Sequence, residues 1–322
     1  MSSLDPKEGV KDEDSNSAEV KPKKNKCLII TVVTVVVVCV AGLAVGLGVG
    51  LTRKKSNKRP AETKPLYESI AFITPMTSEL NGVIEALGPK DKTQITKENI
   101  SNVEMHSFNY SGIKIVAALC GIGKVNSAYS TTVVLMTHKP QIIINVGVAG
   151  GFSGDQKILD FVFSENFTYT DVDCHGEDTE LGQISGEPSH FIASQDLIKI
   201  VKDNQNEFIQ KLDVSKKYPD YKRDSVNFFY GTIGSADQFI YNSNQVAHIS
   251  TNFKEVICVE MEGASIAHVA HKFGTPILTI RSLSDIAVVD HDNAEDYQNS
   301  FVDASNIAGE LAHLLIEKIA NP

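Results

Sequence analysis

Three carboxylates, Glu79, Glu262 and Asp285, each fall a few residues beyond an apolar, β-branched run. Acids gathered at one edge of a sheet can divide general acid and base work, or steady positive charge developing on a substrate. Arg281 and Ser284 stand just before Asp285 on the same segment. Each acid also has a structural reading. Glu79 and Glu262 fall in the early turns of predicted helices, where a negative charge complements the dipole. Asp285 can cap a helix or pair with Arg281. On residue pattern alone, the catalytic and structural readings stand level.

The elements around these acids follow from hydrophobic spacing. Residues 255–259 predict a strand that feeds Glu260-Met261-Glu262, then an alanine-rich helix over 261–273. Gly274 ends the helix, Pro276 restarts the chain, and residues 277–280 predict the strand that delivers Arg281, Ser284 and Asp285. This reads as a crossover between parallel strands, with the acids just past the strand ends. Glu79 follows a strand at 69–73, with Thr74 as helix cap and Pro75 as the first helical residue. Strands at 103–110 and 113–119 form a hairpin, and Gly121-Ile122-Gly123 opens a helix over 125–136. A strand over 141–148 ends in a second glycine cluster, Gly147 to Gly151. Neither cluster has the spacing of a dinucleotide fingerprint or a P-loop. Further strands (158–165, 226–233) and helices (197–212, 304–319) complete an alternation that predicts a mostly parallel or mixed sheet covered on both faces.

The rest of the chain bounds the function. A formal net charge of −10 over 322 residues argues against nucleic acid as a partner. Five cysteines lie scattered without metal-ligand spacing, and Cys120 and Cys258 sit in apolar runs as expected of buried thiols. Residues 1–26 form a charged tail with no core-forming pattern. Residues 27–51 are uncharged and apolar, long enough for a transmembrane helix, and are expected to anchor the protein in a membrane. Residues 52–65 make a basic linker, and one α/β domain fills 66–322. Lysines 21, 23, 24 and 26 flank one end of the apolar run and Arg53, Lys54, Lys55, Lys58 and Arg59 the other, so the positive-inside rule leaves the orientation open. Sequons at Asn99, Asn109 and Asn166 are compatible with an external domain without deciding it.

Five segments occur in order from 69 to 319: Gly121-Ile122-Gly123-Lys124-Val125, Ile144 to Gly151, Ser235-Ala236-Asp237-Gln238-Phe239-Ile240, Val259-Glu260-Met261-Glu262 and Arg281-Ser282-Leu283-Ser284-Asp285. Together they resemble the motifs of the 5′-methylthioadenosine/S-adenosylhomocysteine nucleosidases of the nucleoside phosphorylase family. The resemblance implies a three-layer α/β/α fold with a mixed central sheet and a homodimer. It implies no cofactor, a purine nucleoside as substrate and water as nucleophile. Cleavage of the adenine–ribose bond passes through a cation-like sugar, as in glycoside hydrolysis. By resemblance, Asp285 protonates the leaving base, for which it must hold a proton. Glu79 activates the water, and Glu262 binds the ribose hydroxyls. Met261 and Met76 line the ribose, Phe239 stacks on adenine, and the Ile240 backbone reads the base edge. Ser284 and Arg281 place Asp285 and the water, with Val148 and Gly150 near the ribose.

Two other functions stay open at this level. A phosphorylase of the same family needs cationic groups in the loop after the first strand to hold its phosphate nucleophile. Residues 74–79 contain no arginine and end in Glu79, which favours water. A nucleoside-binding or storage relative is the second alternative. Val148, where relatives carry Ser or Thr, keeps it open, and Thr74-Pro75 replaces the usual Gly-Ala.

Overall fold

The computed structural model describes residues 64–174, 178–288 and 293–322. The expected transmembrane run at 27–51, the charged tail and nearly all of the linker lie outside them. Among the described residues no helix is long and apolar enough to cross a membrane. The strands are β1 (Ser69–Thr74), β2 (Thr96–Ile100), β3 (Val103–Tyr110), β4 (Ile113–Leu119), β5 (Ile142–Gly151), β6 (Phe161–Tyr169), β7 (Phe191–Ile192), β8 (Phe228–Ser235), β9 (Val256–Glu260) and β10 (Ile277–Ile286). The helices are α1 (Thr77–Leu87), α2 (Lys124–His138), α3 (Gln195–Leu212), α4 (Val214–Lys217), α5 (Ser243–Asn252), α6 (Gly263–Phe273) and α7 (Asn293–Ala320).

All ten strands join one mixed sheet in the order β10-β6-β8-β9-β5-β1-β4-β3-β2, with β7 on β6. A further pairing of β10 with β5 closes β5, β10, β6, β8 and β9 into a circuit, from which β1, β4, β3 and β2 extend. Helix α7 packs on α1 and α3, whereas α2 packs on α6, so helices cover both faces as the alternation predicts. The strands of the circuit are buried nearly throughout, β10 along its whole length, which explains their unbroken apolar character in the sequence.

The structure corrects several boundaries. Thr74 caps no helix: it is the last residue of β1, its hydroxyl donating to the Ala118 carbonyl and its carbonyl accepting from Cys120 N–H. The chain turns only at Pro75-Met76, so α1 starts at Thr77. The glycines 147–151 do not follow β5 but belong to it. Lacking side chains, Gly150 and Gly151 let the strand pair with β9 on one side and β10 on the other. Arg281, Ser284 and Asp285 likewise lie within β10, not beyond it. The expected crossover is absent. Strand β9 pairs with β8 and β5, and β10 with β5 and β6. Because β9 is antiparallel and β10 parallel to β5, the two run in opposite directions.

Candidate active site

The closed circuit brings the far ends of β5, β9 and β10 to one cavity. Glu79, Met76, Val148, Gly150, Phe239, Met261, Glu262, Arg281, Ser284 and Asp285 line it, and Ile240 lines an adjoining recess shared with Gly150, Met261 and Asp285. Every residue singled out from the sequence therefore reaches one place, from five separate stretches of chain.

Glu79 projects from the first turn of α1 and is almost wholly buried. Its Oε1 accepts the Val148 N–H at 2.9 Å and its Oε2 the Met76 N–H at 2.7 Å. Burial pushes its pKa up to about 7, against the pull of Arg281 and the two backbone donors. Glu262 caps α6, and its Oε1 accepts the Gly123 N–H at 2.9 Å. That contact gives the first glycine cluster a task. Gly123 sits at φ 93°, a conformation disfavoured for other residues, and presents its N–H to the carboxylate. Burial raises the Glu262 pKa too, aided by the neighbouring Glu260 charge and opposed by Arg281.

Arg281 is fully buried and holds these acids together. Its Nη2 donates to Asn145 Oδ1 at 2.9 Å, to Glu260, and to Glu262 Oε2 at 3.5 Å; its Nη1 donates to the Val148 carbonyl at 3.3 Å and lies 4.0 Å from Glu79 Oε1. One cation faces three carboxylates, so full ionisation of all three would leave two uncompensated charges in a buried site. Retention of protons on Glu79 and Glu262 relieves this, in keeping with both upward shifts. Gly147 makes room for the cluster: a Cβ there would overlap Arg281 Nη1 and lie 2.5 Å from Glu79 Oε1.

Asp285 approaches from β10. The register slips between Leu283 and Asp285, where Ser284 is the extra residue of a bulge. Regular strands point successive side chains to opposite faces, yet Ser284 and Asp285 both line the cavity, which the bulge permits. Ser284 Oγ bonds Asp285 Oδ1 at 3.0 Å, and the Ser284 carbonyl accepts from Ser300 on α7. Opposite Asp285 in register is Gly150, where a Cβ would come within 3.0 Å of Oδ2.

With two acids near the neutral range and a third carboxyl beside them, the cavity can support general acid and base chemistry on a small ligand. Among the described residues no group of three His, Cys, Asp or Glu side chains is set to hold a metal ion.

The phosphorylase superfamily matches residues 69–321. A 5′-methylthioadenosine/S-adenosylhomocysteine nucleosidase of Desulfotalea psychrophila is 31% identical over 250 residues, covering 78% of this chain and 97% of the relative. The chain belongs to this nucleosidase family. Its fold also matches a crystal structure of the Helicobacter pylori nucleosidase, at TM-score 0.69 and 26% identity over 78% of this chain and 99% of the other. Futalosine hydrolase of the same organism matches equally, at TM-score 0.69 and 26% identity over 79% and 99%. Fold similarity alone thus does not single out one nucleoside.

Two residues of this nucleosidase-family site were missed in the sequence. Glu260 accepts from Ser235, Arg281, the Glu262 N–H at 3.0 Å and the Gly263 N–H at 2.8 Å. It ties β8, β9, β10 and the start of α6 to one carboxylate. Its place beside Glu262 in an acidic pair was the available signal. Tyr297, from α7, closes the cavity near Met76 and Phe239. Its hydroxyl donates to Met76 Sδ at 3.4 Å, and its ring meets Phe239 edge-on at 5.5 Å. It lies beyond the last of the matching segments, which ends at Asp285, so no motif marked it.

Proposed function

We propose that the chain hydrolyses the N-glycosidic bond of 5′-methylthioadenosine/S-adenosylhomocysteine-type nucleosides, releasing adenine. The observation that carries this reading is the environment of Glu79. The first turn of α1, just after β1, offers a buried carboxylate with a pKa of about 7, and the neighbouring cation, Arg281, is already engaged by acids. A phosphate nucleophile would meet negative charge there, whereas a neutral water meets a base tuned close to physiological pH.

In this reading Glu79 orients and deprotonates the water. Glu262 holds the ribose hydroxyls, contacts that strengthen as positive charge develops on the sugar. Asp285 delivers the proton that lets adenine leave as a neutral base, with Ser284 fixing its carboxyl. Phe239 stacks on the purine, the Ile240 backbone reads its edge, and Met76, Met261, Val148 and Gly150 shape the sugar pocket. Arg281 is a positioning residue whose charge biases Glu79 and Glu262 toward ionisation.

Two further parts belong to the proposal. A homodimer is supported by the exposed apolar side chains of Val125, Tyr129 and Met136 along α2, continuous with Ile122, which also lines the cavity. A single-pass membrane anchor at 27–51 is supported by the length and composition of that run.

The test is adenine release by the purified protein from several purine nucleosides in phosphate-free buffer. Release without phosphate, with free pentose as co-product, is expected. Release only with phosphate, giving a sugar 1-phosphate, would replace hydrolysis by phosphorolysis. No adenine from a folded, nucleoside-binding protein would leave the storage function.

A further inference from the structure

We propose that Asn99 and Asn109 are N-glycosylated, which places the folded domain on the exoplasmic side of its membrane. Their two sequons share an unusual placement. In Asn99-Ile100-Ser101, Ser101 is the first residue of the two-residue turn between β2 and β3. In Asn109-Tyr110-Ser111, Ser111 is the first residue of the equivalent turn between β3 and β4. Both turns have positive φ at both positions, 51° and 63° at Ser101-Asn102, and 48° and 87° at Ser111-Gly112. Such turns favour Asn, Asp or Gly at each position. Asn102 and Gly112 obey that preference, and the serines do not. Twice, then, a residue that the local backbone disfavours stands where glycan attachment requires a hydroxyl two residues after asparagine.

Accessibility agrees. Asn99, Ser101, Asn109 and Ser111 are all exposed, and Gly112 N–H binds Asn109 through Oδ1, not through the Nδ2 that a sugar would occupy. The third sequon, Asn166-Phe167-Thr168, behaves differently. It lies inside β6, flanked by β7 and β8, with Phe167 and Thr168 buried. A glycan there would block the fold. Strands β2 and β3 lie beyond β1 and β4 from the cavity strands, so glycans on them leave the nucleoside site open. Of the three free thiols among the described residues, Cys120 and Cys258 are buried, with pKa values raised by desolvation, and so are shielded from oxidation, whereas Cys174 is half-buried.

Attachment joins Asn Nδ2 to C1 of the first sugar of a lipid-diphosphate-linked oligosaccharide. The C1–O bond to the diphosphate breaks, the lipid diphosphate leaves with that electron pair, and the amide proton passes to a base of the transferase. No redox partner is needed.

The inference rests on the proposed anchor at 27–51, but its readout is independent of nucleoside hydrolysis. The full chain is expressed in cultured animal cells, and its gel mobility is compared before and after peptide-N-glycosidase digestion. Two glycan increments are expected. Ser101→Gly and Ser111→Gly should each remove one and the pair both, with thermal stability equal or higher, because glycine suits these turns better than serine. Asn166→Gln should change nothing. No enzyme-sensitive shift, or a shift that survives the double variant, would overturn the proposal. Protection of the domain from external protease only in intact cells, without a shift, would place it in the cytosol and overturn it equally.

Discussion

The backbone N–H of Val148 donates to Oε1 of Glu79 at 2.9 Å, so this position steadies the buried carboxylate through its main chain and not its side chain. Val148 is therefore compatible with a working base, although relatives in the resemblance carry a hydroxyl here. Val148→Ser adds at most one hydrogen bond, worth about 0.5–1.5 kcal/mol. Its kcat/KM for adenine release should stay within about tenfold of the parent. A larger gain would show that the missing hydroxyl had been limiting.

Glu79→Gln removes the proton acceptor but keeps a side chain of the same shape. Hydrolysis should fall by about 10²–10⁴-fold, with nucleoside binding by calorimetry largely kept. The pH–rate profile of the parent should rise on its acid limb as Glu79 ionises around its pKa of about 7. A profile flat between pH 5 and 8 would remove Glu79 from the role of base.

The same shift has a consequence for stability. The folded pKa of Glu79 lies above its ordinary value of 4.5, so the native state binds more protons than the unfolded chain between roughly pH 4.5 and 7. Its contribution is therefore fully present below the unfolded pKa and is lost as pH rises through about 7. Glu262 acts in the same direction. Melting curves of Glu79→Gln across pH 5–8 should show a shallower decline with pH than the parent.

Arg281→Met leaves Glu79, Glu260 and Glu262 facing one another without a cation. Removing one partner of a buried ionic cluster costs about 3–5 kcal/mol. The variant should melt well below the parent, most severely above pH 7, where the acids ionise. Denaturant midpoints at pH 5.5 and 8 would measure both effects, and equal losses would argue that the acids do not depend on this cation.

Gly150→Ala tests the placement of Asp285 from the opposite strand. The added methyl would sit 3.0 Å from Oδ2, tighter than ordinary contact, and must push the carboxyl aside by a few tenths of an ångström. A misplacement approaching 1 Å costs on the order of 10²-fold in rate. Turnover should fall by about tenfold or more while the melting temperature changes little. Undiminished turnover would show that Asp285 tolerates this shift.

The sequence made some of this legible and hid the rest for physical reasons. The acids Glu79, Glu262 and Asp285 stood out by residue type and place beside apolar runs, whereas Met76, Val148, Gly150, Phe239, Ile240 and Met261 were named only through the resemblance of the motifs. Their meeting in one cavity was not derivable from period and spacing, since β9 and β10 are not neighbours and are joined through β5 on one side and through β8 and β6 on the other. The glycines at 147–151 read as a loop because glycine usually ends strands. In the fold they form the end of a strand that pairs on both sides, and Gly147 opens space for Arg281. The Ser284 bulge left no local signature, as one extra residue becomes visible only against its partner strand. Glu260 was given no role because two of its partners, Ser235 and Arg281, lie on strands distant in sequence.

Closing five strands on themselves also limits the strand margins that this sheet leaves unpaired. Among the described residues the circuit leaves β2 as the outer strand of the extended arm, five residues long, with the sequence Thr-Lys-Glu-Asn-Ile and mostly exposed. Unpaired strand margins template aggregation and accept foreign strands, and short, charged ones resist both. Among the described residues, exposure to strand addition thus falls on this lysine- and glutamate-bearing segment, remote from the cavity, and on the two-residue β7, so the architecture that assembles the acids also limits the routes to misassembly.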